Sequence, residues 1–266
     1  MVRQAHHDDN LILMKSTLDY YHKANTFKLS QEFDKAIEHY EIAIHLQPDF
    51  VAAYIALATL LFKLDRLKEA QHYFLTALEY APQQFEAHIN LGKLYQRFQD
   101  YSQAEKHYNI ALSLKSDVPE IHKDLAILYQ ATGQLNKSIQ CLETLFQMLS
   151  EVPVHYGLLA AKIYHHANDF EKAKLYYEQF LTQQPNDLDA LQSLAALTFQ
   201  KKNYEETIGY YEHLLQHPEF TDFYTLYMAL GLAYQSIQKR DDALPYFYKA
   251  RKQKPDDSRP YYQMGC

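Results

Sequence analysis

Small side chains recur along this chain at a fixed interval, and that recurrence limits the fold more than any other feature of the sequence. Ala36, Ala70 and Ala104 follow one another at steps of 34 residues, and Ser138, Ala173, Thr207 and Ala243 continue the series. Four residues after each stands a large apolar side chain: Tyr40, Phe74, Tyr108, Leu142, Tyr177, Tyr211 and Phe247. A second small series, Ala24, Ala58, Gly92, Ala126, Ala161, Ala195 and Gly231, runs ahead of the first. Small residues at matched offsets let two backbones approach closely, and a chance pattern would not survive translation along the chain.

Residues 51–84 show the unit most plainly. Tyr54, Leu57, Ala58 and Leu61 form one apolar stripe, and Leu67, Ala70, Phe74, Ala77 and Leu78 form another. Spacings of three and four place each set on one helical face. Asp65 and Arg66 fall between the stripes, where a short turn lets two antiparallel helices pack. Phe33, Leu67 and Tyr101 are expected to open second helices. Pro48, Pro82, Pro185 and Pro255 close the corresponding second helices, since proline cannot continue a helix.

The order aromatic, Leu-Ala, bulky residue, then Ala, Phe, Ala and Pro resembles the tetratricopeptide repeat, a helix-turn-helix unit. The resemblance implies an all-α, right-handed superhelical solenoid of seven such units, at residues 17–50, 51–84, 85–118, 119–153, 154–187, 188–223 and 224–257. A polar or helical extension, 1–16, precedes them, with Asp8, Asp9 or Asn10 expected to cap a helix running through Leu11 and Leu18. A partial helix, 258–266, follows them; Tyr261, Met264 and Gly265 match the aromatic, bulky and small positions of a further first helix.

Composition narrows the function classes. The formal charge of −7 opposes a nonspecific nucleic-acid binder, whose phosphate affinity needs a basic face. The apolar run at 11–14 is too short for a signal-peptide core or a membrane span. Two cysteines, Cys141 and Cys266, lie far apart in sequence; a disulfide between them is not expected, and a reducing, cytoplasmic setting is. No Gly-rich phosphate loop, HExxH, CxxC pair or GxSxG occurs, so neither an enzyme nor a cofactor is expected. His6 and His7 beside Asp8 and Asp9 read as a solvated terminus, and His213 and His217, four apart, lack an obvious third ligand; no metal is expected.

The resemblance further implies that function lives on an inner face formed by the first helix of each repeat. There Phe62 and Phe199 supply apolar anchors, while Lys63, Lys93, Arg97, Lys123, Lys162 and His165 give a positive bias interrupted by Glu86, Glu120 and Asp124. The expected ligand is a protein segment with apolar and acidic anchors. The carboxylate clamp of chaperone-binding members is not expected: Asn25 and Asn90 fit, but Tyr21, Ala56, Glu86 and Asp124 stand where donors are needed. An asparagine ladder is also missing. A non-enzymatic interaction scaffold is therefore expected. The alternatives are the partner-recruiting domain of a larger methyltransferase or glycosyltransferase with its chemistry beyond residue 266, and a self-assembling module.

Overall fold

The computed structural model describes residues 2–265, with side chains from residue 13 onward. Those residues are helical or in turns, and no strand occurs among them. The chain divides into two compact units, one ending at Gly133 and the other beginning at Gln134.

The first unit holds α1 (Val2–Leu29), α2 (Phe33–Leu46), α3 (Val51–Lys63), α4 (Leu67–Tyr80), α5 (Phe85–Arg97), α6 (Tyr101–Leu114) and α7 (Pro119–Ala131). Each helix packs on the next, and α5 additionally touches α3 and α7. This neighbour-on-neighbour pattern is that of a helical solenoid. The second helices start at Phe33, Leu67 and Tyr101, as the apolar stripes require. Because α1 begins at Val2, Asp8, Asp9 and Asn10 lie inside the helix, which corrects the expectation that they cap it.

The second unit holds α8 (Leu135–Met148), α9 (Val154–His166), α10 (Phe170–Gln183), α11 (Leu188–Gln200), α12 (Tyr204–Leu215), α13 (Phe223–Ser236), α14 (Arg240–Gln253) and α15 (Arg259–Met264). Consecutive helices again pack pairwise. At its end, Met264 is buried against Ala243 and Phe247. Gly265, expected to be a small contact position, instead takes a left-handed conformation with φ 79° and stops α15. Cys266 lies outside the described residues.

Both recurrent small series are buried. Ala58, Ala70 and Phe74 are fully buried, as are Ala24, Ala36 and Tyr40 one step earlier. Burying a Phe or Leu contributes roughly 2–3 kcal/mol, and the small partners make it possible by bringing the helices together. Where Ser138 and Thr207 replace alanine, both remain buried; the Thr207 hydroxyl donates to the Asn203 carbonyl at 2.8 Å and lies 3.0 Å from the Thr198 hydroxyl.

Within each unit the turns inside the hairpins are built one way. After α3, Arg66 N–H donates to the Leu61 carbonyl at 2.9 Å and Asp65 N–H to that of Phe62 at 3.2 Å. This is a Schellman closure, which requires a left-handed residue after the helix. Asp65 supplies it with φ 62°, and Gln31, Gln99, Asn168, Lys202 and Gln238 do the same at 60–62°, with Gly133 at 72°.

Candidate functional site

The expected site residues fall into two groups, one in each unit. In the first unit they stand on α3, α5 and α7. Phe62 ends α3 as a half-buried ring over which the Arg97 guanidinium of α5 lies, 5.9 Å from the centroid. Arg97 also donates to Asp65 at 2.6 Å. Lys63 is exposed beside them. One turn before Arg97 on α5, Lys93 converges with Lys123 of α7 on Asp124, at 3.9 and 3.2 Å, and Lys123 also reaches Glu120 at 3.2 Å.

Asp124 is the residue that sequence reasoning undervalued. In sequence it interrupts a basic run, yet its residue exposure is only 8% and it forms the centre of the cluster. Burial pushes its carboxyl up from the usual range, with Lys123 and then Lys93 pulling it back. Burial likewise disfavours the Lys123 ammonium, but Asp124 and Glu120 outweigh this and hold it above the ordinary lysine value. The expected positive bias is thus largely paired with carboxylates drawn from the same face. The half-buried Ile55, Ile89 and Ile127 on the same three helices supply apolar surface beside it.

In the second unit, Lys162 of α9 sits 4.0 Å from Asp189 of α11. His165 is half-buried and packs edge-on against Phe170 and Tyr177 of α10; burial, then neighbouring His166, pushes its pKa down. Phe199 packs edge-on against Tyr204 across its own hairpin, and Lys201 lies 4.0 Å over the Phe170 ring. His165 and Phe199 therefore belong to separate aromatic clusters.

Two histidines outside the expected face also meet. His88 of α5 and His107 of α6 are buried, with their Nδ1 atoms 3.0 Å apart, while His88 Nε2 lies 3.0 Å from the Pro82 carbonyl. A carbonyl only accepts, so His88 carries its proton on Nε2 and His107 donates from Nδ1. Elsewhere, Glu219 N–H donates to His217 Nδ1 at 3.2 Å, and His213 Nε2 lies 3.3 Å from Asn186. Among the described residues, no three His, Cys, Asp or Glu gather as a metal site; the side chains of His6 and His7 lie outside them. No described helix is long and apolar enough to cross a membrane.

Comparisons with known proteins agree with this architecture. Residues 29–94 and 87–121 match two family profiles, each described as "Tetratricopeptide repeat", and residues 155–265 match one described as "TT21 fifth ARM repeats domain". No curated protein matches the chain in sequence. Among solved structures, a tetratricopeptide repeat protein from Parabacteroides merdae is similar at 18% identity and TM-score 0.66, covering 94% of this chain and 98% of its own. The C-terminal part of a TPR repeat-containing protein from Cytophaga hutchinsonii is similar at 14% identity and TM-score 0.73, covering 92% and 99%. YrrB, described as a TPR protein with an unusual peptide-binding site, is similar at 15% identity and TM-score 0.61, covering 73% and 98%. The repeat signature, the all-helical packing and these matches lead to one conclusion: the chain carries tetratricopeptide repeats, matched directly over residues 29–121, and has the helical-repeat fold of tetratricopeptide-repeat proteins.

Proposed function

We propose that this protein is a non-catalytic scaffold that holds an extended or helical segment of a partner protein against the α3–α5–α7 face of its first unit. The observation that carries the reading is the alignment, on three adjoining helices, of half-buried apolar side chains with the cations of Lys93, Arg97 and Lys123. Apolar anchors desolvated in such a face supply affinity, and the cations supply orientation and association rate. Repeat proteins of similar fold support a protein ligand: one is described with a peptide-binding site, and another belongs to a structure of Naa15/Naa10 bound to HypK-THB. On this reading the ligand carries an aromatic or aliphatic anchor flanked by acidic residues. The low cysteine content suits a reducing, cytoplasmic setting.

The test is capture from native lysate by the wild-type chain and by a Lys93→Glu, Arg97→Glu, Lys123→Glu variant, both confirmed as folded. Partners held by the wild type and lost on charge reversal support the reading. Partners held equally by both exclude this face.

A further inference from the structure

Two ammonium groups from neighbouring helices close over one carboxylate in the middle of this face. Lys93 of α5 stands 3.9 Å from Asp124 Oδ2, and Lys123 of α7 stands 3.2 Å from Oδ1. The lysine side chains are 35% and 24% exposed, against 11% for that of Asp124, so the cations lie toward solvent and the carboxylate beneath them. Oδ2 is buried and makes no hydrogen bond. A buried carboxylate oxygen held by charge alone is poorly compensated for its lost hydration.

The charges around it nearly cancel. Lys93 faces Asp124 from α5, Lys123 and Glu120 contribute from α7, and the Tyr108 phenol of α6, whose pKa is raised by burial and then by Asp124, stays neutral and adds no charge. Two cations and two carboxylates leave no net charge for an incoming anion. Without the charge of Asp124, the same cluster carries one net positive charge with both ammoniums already turned outward.

We propose that Asp124 is a resident competitor on the binding face: it occupies Lys93 and Lys123 and so sets the threshold an acidic partner segment must exceed to engage them. This inference rests on the reading above that an acidic, apolar-anchored segment binds here. Asp124 is then a specificity-determining residue. Weakly acidic segments fail to displace it, and segments that combine several carboxylates with an apolar anchor succeed. Neutralising Asp124 by a proton has the same effect as removing its charge, which makes anion capture on this face stronger as the carboxyl takes up that proton.

The test uses inorganic sulfate, an anion whose own charge is constant over the range, followed at the Cε resonances of Lys93 and Lys123. Asp124→Asn is expected to bind sulfate at these lysines about tenfold more tightly than wild type at about pH 7.5, since one unit charge within a few ångströms at a partly buried site is worth at least that much. Asp124→Leu, which fills the same space without charge, must shift affinity in the same direction. Wild-type affinity is expected to climb toward that of Asp124→Asn as acid titration protonates the carboxylate, while the Asp124→Asn value at these two lysines changes far less. Unchanged or weaker sulfate binding in both variants would show that Asp124 organises the lysines rather than competing for them, and would overturn the proposal. So would a gain that survives Lys93→Met combined with Lys123→Met. Either result leaves the lysate-capture test of the face itself intact, so the two failures are separable.

Discussion

Gly92 on α5 lies directly against the ring of Tyr108 on α6: a Cβ built on Gly92 would stand 2.5 Å from Tyr108 Cε1 and 2.6 Å from Cδ1. Gly231 meets Phe247 in the same way, at 2.5 Å. Neither ring has room to retreat, because Tyr108 and Phe247 are buried and Tyr108 donates to Gln96 at 3.1 Å. Gly92→Ala and Gly231→Ala are each expected to destabilise by about 1–3 kcal/mol through overpacking, despite the gain in helix propensity. Chemical denaturation curves measure this, and a neutral or stabilising result would mean that the rings rearrange freely.

Gly133 gives the opposite control. Its φ is 72°, and an added Cβ would meet nothing within 4 Å. Gly133→Ala therefore loses about 1 kcal/mol from backbone conformation alone. At Gln99, with φ 60°, Gln99→Gly is expected to gain up to about 1 kcal/mol by relieving the same strain. Paired thermal melts of these two variants should move in opposite directions.

The His88–His107 pair makes the first unit acid-sensitive. Burial, then the proximity of His88 and the charge of Lys106, lowers His107 from 6.5 to about 4. The folded pKa lies below the unfolded one, so the unfolded chain binds the proton first. Stability is complete above about pH 6.5 and falls as the pH drops toward 4, by as much as about 3 kcal/mol. Urea midpoints of the wild type should decline across this window, whereas His107→Phe should flatten the decline. An equal slope in both would remove the pair from the explanation.

Arg97 and Asp65 are 53% and 72% exposed at the side chain. Arg97→Ala is therefore expected to change stability by no more than about 0.5 kcal/mol, despite the short contact. Any loss of partner capture in that variant then reports on recognition rather than on folding. A melting shift well beyond that range would show that the Phe62 stack carries structural weight.

The helices and their buried faces were legible in the sequence because Ala58, Ala70 and Phe74 advertise their roles through period and size together. The intrahairpin turns were less so. Only Gly133 announces a left-handed residue by its identity, and the other six positions hold Gln, Asp, Asn and Lys, forced into that conformation by the surrounding closure. Within the candidate site, Lys93 and Lys123 could be placed on first helices from their offsets, but their common partner could not. Asp124 becomes central only when α5 and α7 adjoin, a proximity between residues far apart in sequence that periodicity alone does not weigh. The His88–His107 pair is hidden for the same reason: His88 shares its offset with Tyr54 and His122, and His107 with His39 and Tyr73, and neither series shows that the two rings meet.

Within each unit, a helix packs chiefly on the helices before and after it, with α5 also bridging α3 and α7 and single polar contacts such as Lys162–Asp189 linking alternate helices. A tensile load on such an array passes mainly from hairpin to hairpin, so compliance accumulates link by link. The first unit should therefore stretch like a soft spring, and a partner lying across α3, α5 and α7 would stiffen it by tying three coils together.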